Sequence, residues 1–211
     1  MGWGEQAEAA IARYEGGGRR GLDQRQLTQL ANAAWAAGLC LLMDGRRDEA
    51  ARWLRQAAVR YHESWGMAPP ESWGRPIAAM KALLLAGADA RAQASWTLES
   101  GAARSESPIG RYAATLALLV LGRDEEARAV ADTLVERDDF PRDVADALLM
   151  IAAHDPVETE RAVGRVLDSF ESRNEFLENV RVADTVLVLQ RLATAREIAV
   201  DLPGSNLLPS A

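Results

Sequence analysis

The feature that most constrains this chain is a leucine–glycine–alanine spacing that returns three times. It reads Leu41-x3-Gly45-x4-Ala50-x3-Leu54, then Leu83-x3-Gly87-x4-Ala92-x3-Trp96, then Leu118-x3-Gly122-x4-Ala127-x3-Ala131. A leucine on a last helical turn followed by glycine stops a helix, because glycine enters the left-handed conformation without steric cost. A polar turn follows, with Asp48 after Gly45 and Asp124 after Gly122. Each carboxylate is expected to cap the next helix. The alanine five positions after each glycine is expected to lie where two helices touch, so that only a small side chain fits. The glycines stand 42 and 35 positions apart, close to the period of stacked helix pairs.

Helices are predicted at 3–15, 24–43, 48–63, 74–86, 89–100, 108–121, 124–137, 142–153, 157–172 and 181–196. No stretch alternates β-branched and polar residues as a strand would. Pro76, Pro108, Pro141 and Pro156 read as helix starters, since a proline in the first turn lacks only an N–H that has no helical partner. A fourth, degraded pair runs from Val144 through Leu148 and Ile151 to Ala162 and Val166, with His154-Asp155-Pro156 replacing the glycine turn. The apolar stretch Val182–Leu192 is expected to cap the core. The whole chain, 1–211, reads as a single helical-repeat domain, clearest over 26–137 and degraded over 138–211.

The net charge of −7 argues against a nucleic-acid partner, which needs a basic footprint, and favours a basic protein. Cys40 is the single cysteine, so no intramolecular disulfide forms. The first residues lack the basic-then-apolar order of a signal peptide, and the longest apolar run, Tyr112–Leu121, is too short to cross a bilayer. These point to a soluble, cytoplasmic protein with no membrane partner.

The chain resembles a tetratricopeptide-type repeat protein. Gly38 matches the glycine inside the first helix of that repeat, Gly45 its turn, and Ala50, Leu54 and Ala57 its second helix. Met80 and Thr115 replace the inner glycine in later pairs. The resemblance implies an all-α superhelix of about ten helices, with the first helix of each pair lining a concave face. That face would carry Trp35, Leu39, Leu42, then Ile77, Lys81, Leu84, then Tyr112, Leu116, Leu119, then Val144, Leu148 and Ile151. It lacks the Lys/Asn/Arg clamp of chaperone-binding members. A second resemblance lies in the apolar helix Asp184–Ala193, followed by Ile198–Leu202 and Ser205–Pro209. It is similar to all-helical immunity proteins encoded beside bacterial polymorphic toxins, which are thought to bind and neutralise them.

Chemistry is sparse. His62 and His154 belong to no metal-ligand spacing, Cys40 sits in an apolar run, and Gly16-Gly17-Gly18-Arg19-Arg20-Gly21 lacks the Lys-Ser/Thr of a phosphate loop. No catalytic, cofactor or metal residue is assigned. The connector repeats Glu-Ser-Trp-Gly at 63–66 and 71–74, and two readings stand for Trp65 and Trp73: plugs between helix pairs, or a rigid aromatic ridge at a binding face. Candidate partner-binding residues are Trp65, Trp73, Lys81, Trp35 and Tyr112. The expected function is non-enzymatic protein binding, by an immunity-type inhibitor of a basic toxin. The alternatives are a tetratricopeptide-like assembly adaptor and an enzyme with an unrecognised site.

Overall fold

Every predicted helix forms. The computed structural model describes residues 2–18 and 20–210. Among them are ten α-helices and no strand: α1 (Trp3–Gly16), α2 (Gln24–Met43), α3 (Arg47–Trp65), α4 (Gly74–Leu85), α5 (Arg91–Glu99), α6 (Pro108–Leu121), α7 (Asp124–Val135), α8 (Arg142–Ala152), α9 (Pro156–Glu171) and α10 (Asp184–Thr194). The chain divides into two compact units. Unit 1 comprises Met1–Ala88, Arg173–Asp184 and Ser205–Ala211; unit 2 comprises Asp89–Ser172 and Thr185–Gly204. In unit 1, α2 packs on α1 and α3, and α3 on α4. In unit 2 the succession runs α5 on α6, α6 on α7, α7 on α8 and α8 on α9.

The turn that organises these pairs recurs five times rather than three. Gly45, Gly87 and Gly122 have φ of 77°, 61° and 73°. The residue after each glycine donates its N–H back five positions, Arg46 to the Leu41 carbonyl, Ala88 to Leu83 and Arg123 to Leu118, which closes the helix end. His154 (φ 56°) and Glu197 (φ 60°) adopt the same conformation, with Asp155 N–H donating to Met150 and Ile198 N–H to Ala193. His154 therefore occupies the glycine position of the degraded pair. A side chain there is strained, because the left-handed region brings Cβ against the backbone.

Two expectations are corrected. The residues at the start of α3 and α7 are Arg46 and Arg123, whose side chains make no cap. Each instead reaches forward to a first-turn glutamate, Arg46 Nε to Glu49 Oε1 at 2.7 Å and Arg123 Nε to Glu126 Oε1 at 2.7 Å. The acids of the motif lie inside the first turn, where they face the positive end of the helix dipole. The contact alanines are Ala50 and Ala127, both fully buried, but Ala92 is exposed. The connection after Gly87 is two residues longer, so α5 starts at Arg91 and Ala94 is the buried alanine.

At Gly38 a Cβ would stand 2.6 Å from Leu54 Cγ, so α2 and α3 approach there as closely as the absent side chain permits. Met80 and Thr115, in the corresponding places of the later pairs, are fully buried. Unit 2 closes on aliphatic side chains, among them Leu134, Leu148, Ile151, Val163 and Val166, none of them exposed.

Candidate functional site

The five candidate residues fall into three separate places. Trp65 and Trp73 stack with ring centroids 4.8 Å apart. The two copies of Glu-Ser-Trp-Gly take different conformations: Glu63, Ser64 and Trp65 end α3, whereas Glu71, Ser72 and Trp73 lead into α4. Ser64 Oγ donates to the Tyr61 carbonyl within its helix, while Ser72 Oγ donates to Pro69 across the turn. Trp73 is 3 % exposed and its indole N–H donates to Glu71 at 2.8 Å. It is a core plug that ties the connector down, with half-buried Trp65 as its lid. Tyr112, in unit 2, is half-buried against Phe140 with ring centroids 5.4 Å apart.

Trp35 and Lys81 do meet, in unit 1. The Lys81 ammonium stands 5.8 Å from the Trp35 ring centroid, and its Nζ donates to Asp184 Oδ2. Both partners are largely enclosed, with Lys81 12 % and Asp184 18 % exposed. An ion pair this sheltered is costly to break from one side, because the surviving charge is left poorly solvated. Beside it, Tyr61 donates to Asn32 Oδ1 at 2.7 Å. Burial, reinforced by the negative fields of Glu178 and Asp184, pushes the Tyr61 phenol far above its ordinary value, so it stays neutral. Glu178 in turn accepts from Arg13 at 3.2 Å. The centre of unit 1 is thus a set of charged and aromatic groups joined by the returning segment 173–184.

Unit 2 has its own polar centre. Asp124, in the first turn of α7, accepts from Arg196 Nε at 3.1 Å and pairs with His154 Nε2 at 2.7 Å. Arg196 is 5 % exposed at its side chain and also donates to the Leu119 and Leu192 carbonyls. Burial would raise the Asp124 carboxyl, but the hydrogen bonds from Arg196 and His154 outweigh it and hold the group below its ordinary 3.8. One guanidinium and one carboxylate so tie the ends of α6, α7 and α10 together. The pairing was not legible in the sequence, because it joins residues 72 positions apart.

Chemically these are clamps. Lys81 is held on a carboxylate, and Cys40 is fully buried, with burial pushing its thiol up to about 11. Among the described residues no group of three His, Cys, Asp or Glu is placed to hold a metal ion, and no helix is long and apolar enough to cross a membrane. Unit 1 carries two open clefts, one of about 380 Å³ bordered by Arg13, Leu22, Gln29 and Glu178, and one of about 420 Å³ bordered by Trp3, Asn179, Arg181 and Leu207. Set against known protein families, curated proteins and solved structures, the chain matches none.

Proposed function

We propose that this chain is a non-enzymatic protein-binding module, and within that class an immunity-type inhibitor that holds a basic bacterial toxin. The observation that supports the reading is the placement of charge. Unit 2 carries nineteen acidic and eleven basic side chains, whereas unit 1 carries twelve and thirteen. The whole excess of acid therefore belongs to unit 2. Part of it lies on one face of α7 and just beyond: Glu125, Asp132 and Glu136 are exposed, at spacings of seven and four, and none has an ion-pair partner. Residues so spaced share a helix face.

Such a stripe contributes little to the fold and much to encounter. Opposite charge raises the association rate and makes it salt-sensitive. The test is co-expression and binding with the product of the neighbouring gene, before and after the triple change Glu125→Lys, Asp132→Lys, Glu136→Lys. Association should slow by about tenfold or more, with an unchanged melting midpoint. A salt-insensitive association untouched by the reversal would remove the charge argument. If no neighbouring product binds and co-expression rescues no toxicity, the immunity reading fails and the adaptor reading replaces it.

A further inference from the structure

We propose that unit 1 contains a groove for an extended acidic peptide, and that residues 173–184 fill it as a displaceable strap. This inference is independent of the acidic face of unit 2 and of any toxin.

Between α9 and α10 the chain abandons helix geometry. Glu178 and Asn179 are consecutive non-glycine residues at φ of 56° and 59°, a region that L-residues enter only when their surroundings hold them there. The holding contacts are specific. Glu178 takes the Arg13 guanidinium of α1, and six positions on Asp184 takes the Lys81 ammonium of α4. Between these carboxylates Val180 and Val182 are buried at 6 % and 2 %, with exposed Arg181 between them. That alternation belongs to an extended chain. Arg181 folds back over the Phe176 ring at 5.7 Å, and Ala183 N–H donates to the Leu207 carbonyl at 2.9 Å.

Two acidic grips, two apolar anchors and an extended backbone are how a docked peptide sits on a helical scaffold. The scaffold supplies the complementary parts from α1, α2 and α4. Lys81, beside Trp35, would be left charged and sheltered without a carboxylate, so the groove stays closed until another acid replaces Asp184. Next to Glu178 it continues into the open cleft of about 380 Å³ over Leu22, Gln26, Gln29 and Leu30, space that the strap leaves unfilled. The competitor that fits carries two carboxylates about six residues apart around a pair of small apolar side chains.

The test uses the full chain and a fluorescein-labelled peptide with the sequence of residues 173–184. Asp184→Asn keeps the shape of the strap and removes one grip. Amides 180–183 should then exchange with deuterium roughly tenfold faster, with the helical melting midpoint unchanged. The variant should also bind the labelled peptide at least about tenfold more tightly than the native chain, and adding Lys81→Met should abolish that gain. The reversed pair, Lys81→Asp with Asp184→Lys, should keep native exchange. Unchanged exchange in Asp184→Asn, equal peptide binding by variant and native chains, or a reversed pair as loose as the single variant would each overturn the proposal. So would a melting midpoint that falls in step with the exchange, because the segment would then be ordinary core.

Discussion

Unit 1 and unit 2 are made of the same kind of helix pair, joined by the same left-handed turn, yet they differ in almost everything else. Unit 1 holds five of the six tryptophans and is close to neutral, while unit 2 holds only Trp96 and all of the excess acid. Unit 1 closes around stacked indoles and a sheltered Lys81–Asp184 pair. Unit 2 closes around leucine, isoleucine and valine, with Asp124 and Arg196 fastening its helix ends. The difference teaches that the pair needs small residues at the crossing and a chain reversal at the turn. The filling of the core and the sign of the surface are left free, and free surface can be given to binding.

If the crossing rather than the filling governs stability, the two cores should answer alike. Trp73→Ala in unit 1 should cost about 3–5 kcal/mol and Leu148→Ala in unit 2 about 2–5 kcal/mol, measured by denaturant unfolding. A negligible loss at Trp73 would return it to the role of a binding residue. The crossing itself is tested by Ala127→Leu, which should overpack fully buried α7 and cost about 1–3 kcal/mol. Ala92→Leu, on the exposed face of α5, should change stability by less than about 0.5 kcal/mol. Equal losses would break the corrected register.

The turns allow a finer comparison. Gly122→Ala should cost about 1 kcal/mol, and Glu197→Gly, at an exposed left-handed site, should gain about the same. Thermal melting of the two variants, with shifts of opposite sign, would establish that the non-glycine turns carry strain. The smallest effect concerns acid. The folded Asp124 carboxyl lies below its ordinary 3.8, so its contribution is complete above the unfolded value and is lost as pH falls through the folded one. Asp124→Asn should therefore flatten the loss of stability on acidification below about pH 3.8, and an unchanged acid limb would show that the Arg196 and His154 contacts carry no weight.

Helix number, helix type and nearly every boundary were legible because they depend on neighbours in the chain. Leu41, Gly45 and the polar turn after it act within one turn of each other, and Pro108 and Pro156 start helices wherever they are placed. The three glycine turns were visible as glycine; those at His154 and Glu197 were not, since their conformation is imposed by the helices on either side. Ala92 misled for a related reason: the motif preserves its spacing, but two extra residues after Gly87 rotate the next helix. Of the candidate site, the meeting of Trp35 and Lys81 followed from their places on facing helices. Asp184 and Glu178 did not, because nothing local marks a carboxylate that finds its cation 103 or 165 positions away.

The sequence by itself determined a succession of paired helices, through breakers and small residues whose effects are short-ranged. Only the tertiary structure decided how each helix is turned and which charges are paired. It also decided that the two copies of Glu-Ser-Trp-Gly differ, the first a helix end and the second a turn. These outcomes depend on burial and on Coulombic contacts between distant residues, and such contacts exist only once the chain has folded.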